Sequence, residues 1–212
     1  MLGTTEKTRM MSKKLSVLMT LFCVCLIASN LFETKIFQIC GITLTGGFLI
    51  FPISYILNDC LTEVYGFGKA RSVILTAFAM NAFVVLTAQL VRILPAAPFW
   101  DGQEHFDYIF AADLRITIAS MLAFLAGSLL NSLVMVRMKA RQGEKGFGWR
   151  AVASSLVGES VDSLVFFPIA FFGVGARNLL VMMVTQIILK TVYEIVVLPV
   201  TALFVKHLKN NS

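Results

Sequence analysis

Charged residues are scarce in this sequence of 212 residues, and their scarcity limits what kind of protein it can be. Only 14% of the residues are charged, while 58% are hydrophobic and the mean hydropathy is +0.82. Soluble domains usually carry about 25% charged residues, which cover their water-facing surface. The composition therefore excludes an ordinary soluble domain and predicts a protein that lies in lipid.

Histidine and paired cysteines, the usual ligands of metals and haem, are also nearly lacking. The chain has two histidines and four cysteines, and no two of the cysteines form a CxxC pair. The cysteines are Cys23, Cys25, Cys40 and Cys60. Because zinc and haem sites need such residues at close, regular spacing, we predict no metal site and no cofactor. We expect the cysteines to pack as small apolar side chains.

The short motifs of common enzymes are absent as well. The sequence contains neither HExxH, nor GxSxG, nor the GxxxxGK[ST] loop that binds nucleotides. We therefore predict that the chain is not an enzyme. An intramembrane enzyme that uses carboxylates as acid and base stays open as a further hypothesis.

Six hydrophobic segments account for most of the sequence, and each is close to the about 20 residues that cross a bilayer as a helix. They are residues 15–32, 44–65, 73–94, 116–136, 151–172 and 179–205. We therefore predict an all-α membrane protein, with residues 1–212 forming a single transmembrane domain of six helices. The first segment also resembles a signal peptide, but no small-x-small cleavage site follows it in a polar flank, so we keep it as a span.

Lysine and arginine residues predict the orientation of these spans. Of the 18 in the chain, thirteen fall in the two tails, after the second span or after the fourth: Lys7, Arg9, Lys13, Lys14, Lys69, Arg71, Arg137, Lys139, Arg141, Lys145, Arg150, Lys206 and Lys209. The other side has only Lys35, Arg92, Arg115 and Arg177. Because cytoplasmic loops carry the excess of such residues, we expect both termini to be cytoplasmic. This topology explains the net charge of +6, and no nucleic-acid partner is predicted.

Polar residues in the two halves of the chain recur at a constant offset. The pairs 101 positions apart are Asn30 and Asn131, Gly47 and Gly148, Asn58 and Glu159, and Gln89 and Lys190. If three spans repeat, the second copy enters the membrane from the opposite side, as in many secondary transporters. Two inverted three-helix repeats are therefore one interpretation, and chance recurrence is the other.

Polar and charged residues inside the spans are the candidate site. An ionised group in hydrocarbon costs about 2.5–3.5 kcal/mol, so such residues are expected to face protein, water or a ligand. The candidate substrate-binding residues are Asn58, Asp59, Glu63, Asn131, Glu159, Asp162, Gln186, Lys190, Tyr193 and Glu194. Spacings of three or four residues put Glu159 beside Asp162, and Gln186, Lys190 and Glu194 in one stripe.

Several of these residues have a structural alternative. Glu63 can pair with Lys69 or Arg71 at the membrane interface. Lys190 can neutralise an acid on another helix and lock the bundle, and Asn30 and Asn131 can form hydrogen bonds between helices. Neighbouring carboxylates repel each other, so one can keep its proton at neutral pH. The candidate proton carriers are Asp59, Glu159, Asp162 and Glu194.

Four stretches carry a resemblance to a known family. They are NDCLTEVYG at 58–66, GESVDSL at 158–164, FFPIAF at 166–171 and KTVYE at 190–194. With them, essentially the whole chain resembles the queuosine precursor transporter family, formerly described as vitamin uptake transporters. The resemblance implies a six-helix inner-membrane protein that imports 7-cyano-7-deazaguanine or 7-aminomethyl-7-deazaguanine for tRNA modification.

The candidate residues suit such a purine-like ligand. A carboxylate of Asp59, Glu159 or Asp162 can accept two N–H groups of a guanine-like edge. Amide side chains can form hydrogen bonds with the carbonyl oxygen and ring nitrogen of the ligand, and Phe166, Phe167 or Tyr193 can stack on the base. We therefore predict a secondary transporter, with proton coupling as a hypothesis. The alternative is a substrate-capturing subunit of an energy-coupling transporter, whose ATPase is a separate chain; a homodimer is left open.

Overall fold

The computed structural model describes residues 4–32, 34–39, 42–110, 114–143, 146–170, 172–173 and 175–210. The elements are helix α1 (Thr4–Phe32), strands β1 (Ile36–Ile39) and β2 (Ile42–Thr45), a 3-10 turn (Gly46–Leu49), and helices α2 (Phe51–Arg92), α3 (Gln103–Phe110), α4 (Leu114–Gln142), α5 (Phe147–Ala170) and α6 (Ala176–Asn210). The prediction of a nearly all-helical chain is thereby confirmed. Cys40, Lys145 and Phe171, which the sequence analysis names, lie outside the described residues.

Five of the described helices, all except α3, are long and apolar enough to cross a membrane. Helix α2 has 42 residues, which corresponds to about 63 Å at about 1.5 Å per residue and exceeds the about 30 Å of hydrocarbon in a bilayer. Gly66 interrupts it with the non-helical angles φ 79° and ψ 169°. We call the segments on either side α2a (51–65) and α2b (67–92). The predicted six spans are reached if α2a and α2b each cross the membrane separately.

A β-hairpin stands where the second span was predicted to begin, at residue 44. Strands β1 and β2 pair antiparallel, with Ile36 opposite Thr45 and Ile39 opposite Ile42. Isoleucine and threonine are branched at Cβ and favour strands. Pro52 then occupies the first turn of α2, where its missing N–H costs no hydrogen bond. The prediction of an all-α chain was therefore wrong for residues 36–39 and 42–45.

Helices α4 and α5 approach each other closely where each has a glycine. A Cβ atom placed on Gly127 would lie 2.7 Å from the carbonyl oxygen of Gly158, and one placed on Gly158 would lie 2.8 Å from Cβ of Asn131. Small residues at such positions let the backbones of membrane helices pack together. This contact fixes α5 against α4 beside the residues described below.

An apolar core joins α1 to both segments of α2. From α1 it contains Leu18, Phe22 and Leu26; α2a, α2b, α4 and α6 contribute Phe51, Tyr55, Leu61, Ile74, Phe124, Val205 and others. Ring centroids are 5.8 Å apart for Phe22 and Phe124, and 5.6 Å apart for Phe51 and Tyr55. These aromatic side chains bury large surfaces, and their ring contacts hold α1, α2a and α4 together. The two inverted repeats remain a prediction.

Candidate functional site

Five charged residues from three helices converge in the interior of the bundle. We call them the carboxylate cluster: Asp59 on α2a, Glu159 and Asp162 on α5, and Lys190 and Glu194 on α6. Their exposed fractions range from 1% to 6%. Since these residues are buried away from the lipid-facing surface, their charges must be balanced by one another, by protons or by a ligand.

Lys190 is the one cation of this cluster. Its ammonium lies 3.2 Å from Oδ2 of Asp162 and 4.2 Å from the centre of the Phe51 ring. The ring face carries partial negative charge, so Phe51 supplies a second favourable contact for the cation. This pair joins α5 to α6, as the structural alternative for Lys190 predicts. Four carboxyl groups thus share the interior with a single ammonium.

The remaining carboxyl groups contact hydroxyls and one another. Thr191 donates a hydrogen bond from Oγ1 to Oε2 of Glu159 over 3.3 Å, and Ser155 donates one from Oγ to Oδ2 of Asp59 over 3.3 Å. The carboxyl groups of Asp59 and Glu194 lie close enough to interact directly. In a low-dielectric interior, two ionised carboxylates at such a distance repel each other strongly.

Several buried oxygens of this region have no hydrogen-bond partner among the described residues. They are Oδ1 of Asp59, Oδ1 of Asn131, and the hydroxyls of Ser54, Tyr55 and Ser163. Both carboxyl oxygens of Glu194 also belong to this group, because they lie near Asp59 and Ser155 without a well-formed hydrogen bond. Buried polar atoms are nearly always paired in proteins, so a concentration of unpaired ones requires an explanation. Most of these atoms are acceptors. The arrangement is therefore suited to a group that brings several donors.

A chain of amides and hydroxyls joins α2a to α4 beside the cluster. Asn58 donates from Nδ2 to the carbonyl oxygen of Ser128 over 3.1 Å. Its Oδ1 accepts a hydrogen bond from Ser132 over 3.0 Å, and Thr62 donates to the hydroxyl of Ser132 over 3.0 Å. Both ends of the Asn58 amide are thus used in holding α4, although an amide has capacity for further bonds.

Asn131 and Asn30 are the two residues for which the sequence analysis gave hydrogen bonds between helices as the structural alternative. Asn131 donates to the hydroxyl of Ser155 over 3.5 Å, which places its amide beside Asp59. Asn30 accepts a hydrogen bond from Ser120 over 3.0 Å and so joins α1 to α4. The prediction that Asn30 forms a hydrogen bond between helices is confirmed.

Glu63 lies apart from the carboxylate cluster. Its Oε1 is 3.0 Å from Nη2 of Arg150, 3.3 Å from Nζ of Lys139 and 2.7 Å from Nζ of Lys209. We call these four residues the Glu63 ion cluster. The alternative that paired Glu63 with Lys69 or Arg71 was wrong. Those two residues follow the break at Gly66 and are exposed, whereas the cations that reach Glu63 come from α4, α5 and α6.

Two further candidates flank the carboxylate cluster on α6. Gln186 lies one turn before Lys190 and is half-buried. The ring of Tyr193 meets that of Phe48 edge-on, with centroids 6.3 Å apart, so the 3-10 turn before α2 packs against α6. The structure therefore brings Asp59, Glu159, Asp162, Lys190 and Glu194 together, with Asn131 beside Asp59. Asn58 adjoins Asp59 on α2a, and Gln186 and Tyr193 share α6 with Lys190 and Glu194.

The sequence analysis missed Tyr55, whose hydroxyl lies within electrostatic reach of all four carboxyl groups of the cluster. It also missed Phe51 and Ser155. A spacing signal could have found them, because Phe51, Tyr55 and Asp59 follow one another at intervals of four on α2a. Ser155 precedes Glu159 by four on α5 in the same way.

The family of the chain follows from a comparison with known proteins. Residues 45–204 match the sequence model of the family described as "Putative vitamin uptake transporter". The chain belongs to this family. A family of transporters agrees with the prediction that the chain is not an enzyme. Together with the long apolar helices, it identifies a multi-pass membrane protein.

Three bacterial proteins are similar to this chain in sequence. "Probable queuosine precursor transporter" of Haemophilus influenzae is 31% identical over 133 residues, which cover 60% of this chain and 52% of that protein. A protein of the same name from Bacillus subtilis is 23% identical over 188 residues, covering 88% of this chain and 82% of that protein. "Queuosine precursor transporter" of Escherichia coli is 32% identical over 139 residues, covering 64% and 58%. The chain thus spans about half the length of the first of these relatives, and no solved structure matches it significantly.

Proposed function

We propose that this family member is a secondary transporter that imports queuosine precursors across the inner membrane, coupled to protons. Its ligands are 7-cyano-7-deazaguanine, 7-aminomethyl-7-deazaguanine or both. The observation that carries the proposal is the set of buried, unpaired acceptor oxygens in and beside the carboxylate cluster. The names of the relatives, which give a queuosine precursor as the transported compound, support the class of ligand.

The ligand fits these oxygens by its hydrogen-bonding groups. A guanine-like edge presents a ring N–H beside an exocyclic amine, and a carboxylate with two unpaired oxygens accepts both. Glu194 is such a carboxylate, and Oδ1 of Asp59 lies beside it. The substrate-binding residues of this proposal are Asn58, Asp59, Asn131, Glu159, Asp162, Gln186, Lys190, Tyr193 and Glu194.

Proton coupling rests on the surplus of carboxyl groups over cations. When Asp59 and Glu194 are both ionised they repel each other, and either a proton or a ligand donor between them relieves the repulsion. A proton and the ligand therefore act on the same groups. The proton carriers of this proposal are Asp59, Glu159, Asp162 and Glu194. Both termini are cytoplasmic in this arrangement, and the single transmembrane domain crosses the membrane six times.

Uptake measurements in cells test the transport function. The chain is expressed in cells that lack both their own precursor synthesis and their own precursor transporter, and the accumulation of labelled precursor is measured. Asp59→Asn and Glu194→Gln should each lower uptake about tenfold or more, because a hydrogen bond to a charged group contributes about 1.5–3 kcal/mol. Asp107→Asn, which alters an exposed acid outside the cluster, is the matched control. Unchanged uptake in both cluster variants would remove these residues from the site.

Two further measurements separate the parts of the proposal. A proton uncoupler should abolish accumulation, and accumulation that survives it would exclude proton coupling. The purified chain in liposomes should transport precursor without any ATPase. Uptake in cells but none in liposomes would favour a substrate-capturing subunit of an energy-coupling transporter.

A further inference from the structure

We infer that the Glu63 ion cluster is a gate, which closes one end of the transport pathway and has to separate for the ligand to leave. This inference rests on the proposed transport function. The carboxylate of Glu63 lies within 3.3 Å of three cations, which come from three different helices. The side chains of Glu63 and Arg150 are both fully buried, with 0% exposed.

Two backbone contacts strengthen the closure. Nζ of Lys139 also donates to the carbonyl oxygen of Glu63 over 2.6 Å. Nη1 of Arg150 donates to the carbonyl oxygen of Gly143, just after the end of α4, over 3.0 Å. A single carboxylate and its neighbours therefore hold α2a, α4, α5 and α6 together at one point.

These are the four helices between which the candidate site lies. Glu63 follows Asp59 by one turn on α2a, whereas Lys139 and Lys209 lie in the last turns of α4 and α6. Arg150 lies in the first turns of α5, nine residues before Glu159. The ion cluster thus closes the bundle beyond the carboxylate cluster, on the side that carries most lysines and arginines.

The opposite end of the bundle is held differently. There the described residues contribute an ion pair between Arg92 and Asp107, 3.8 Å apart, with side chains 34% and 42% exposed. This pair joins α2b to α3 and touches none of α4, α5 and α6. Exposed pairs of this kind contribute little. Among the described residues, a fully buried ion pair therefore closes the lysine- and arginine-rich end, and a partly exposed one lies at the other.

The composition of the cluster makes it suitable as a two-state element. Three cations surround the Glu63 carboxylate, so the attraction that draws their helices together is lost when Glu63 moves away or loses its charge. Because Asp59 and Glu63 lie one turn apart on α2a, a shift of this helix at the site moves both residues. Alternating access requires an element of this kind, which either joins the helix ends or releases them.

Thiol accessibility tests the gate without any ligand. The four native cysteines are replaced by alanine, and Ser132→Cys, between the two clusters on α4, provides the reporter. In membrane vesicles, a charged, membrane-impermeant thiol reagent is applied from either side. Glu63→Gln should raise the labelling rate from the lysine- and arginine-rich side about tenfold, because it shifts the population toward the open state. Glu63→Asp, which keeps the charge, should raise it less.

Matched variants keep the test decisive. Asp107→Asn, which breaks the pair at the other end, should leave labelling from the lysine- and arginine-rich side unchanged. Should Glu63→Gln fail to give a monodisperse protein in detergent, Lys139→Met and Lys209→Met, which remove one partly exposed cation each, are labelled instead and should show a smaller increase. Equal labelling of folded Glu63→Gln and the parent, or an equal increase from both sides, overturns the gate.

The gate and the transport proposal fail in different ways. If the labelling shift occurs while the chain takes up no queuosine precursor, the gate stands and the ligand assignment falls. If the parent chain takes up precursor, folded Glu63→Gln should lose accumulation while precursor still raises its melting temperature in detergent. Normal accumulation in that variant contradicts the gate.

Discussion

The ammonium of Lys190 on α6 lies 3.2 Å from Oδ2 of Asp162 on α5, with both side chains almost entirely buried. The pair holds two helices together, and it is also the only part of the carboxylate cluster in which opposite charges meet. Replacing either residue of the pair by an uncharged one therefore leaves the other charge uncompensated in a water-poor interior. This distinguishes it from the exposed ion pairs, whose loss has little effect.

Lys190→Met is expected to lower the free energy of unfolding by about 3–5 kcal/mol, because it leaves Asp162 buried without a counter-charge. The double variant Lys190→Met with Asp162→Asn should lose distinctly less than Lys190→Met alone. Thermal unfolding of the purified chain in detergent measures both. If the effects of the two substitutions simply add, the two residues are not coupled and the pair is not a lock.

The close contact of α4 and α5 gives a prediction about packing. Gly127→Ala would put a Cβ 2.5 Å from the Tyr55 hydroxyl and 2.7 Å from a backbone oxygen. We expect a loss of about 1–3 kcal/mol, because the backbones must move apart. Gly148→Ala is the control, since its Cβ would meet only the side chain of Leu198 at 3.3 Å, which can rotate away. Equal melting temperatures for the two variants would contradict the tight contact.

The sequence was most informative about charged residues inside apolar segments, because the membrane limits where such residues can lie. Asp59, Glu159 and Lys190 cannot face lipid without a large cost, so their convergence between helices could be predicted from their presence in apolar segments. Partners were harder to predict. Glu63 has cations both nearby in sequence and far away, and only the folded chain shows that the distant Lys139, Arg150 and Lys209 are the ones in contact.

Tyr55 and the hairpin were missed for a different reason. A tyrosine fits an apolar helix as well as a polar site, so its type alone gives no signal. Residues 33–43 lie between the first two predicted spans, and a hydropathy window of about 20 residues identifies spans but gives no signal for two strands of four residues. The branched side chains of Ile42 and Thr43 would have been the better guide.

Substitutions at Asn58 can show whether this residue only stabilises the fold or also binds the ligand. Its amide donates to Ser128 and accepts from Ser132, so Asn58→Ala removes two hydrogen bonds between α2a and α4. We expect a loss of about 1–3 kcal/mol in stability. Thr62→Val, which removes only the donor to Ser132, should cost less. If Asn58 also binds the ligand, the rise in melting temperature on adding precursor should shrink in Asn58→Ala and stay unchanged in Thr62→Val.

The break in α2 gives a prediction that depends on the backbone alone. Gly66 adopts φ 79° and ψ 169°, a region that residues with a Cβ rarely enter, yet no atom lies within 4 Å of where its Cβ would be. Gly66→Ala is therefore expected to cost about 1–3 kcal/mol through backbone strain, without any clash. Gly68→Ala, two residues later and equally free of neighbours, should be neutral or slightly stabilising, because alanine favours helices. Equal melting temperatures for the two variants would mean that α2 does not need a glycine to turn between its segments.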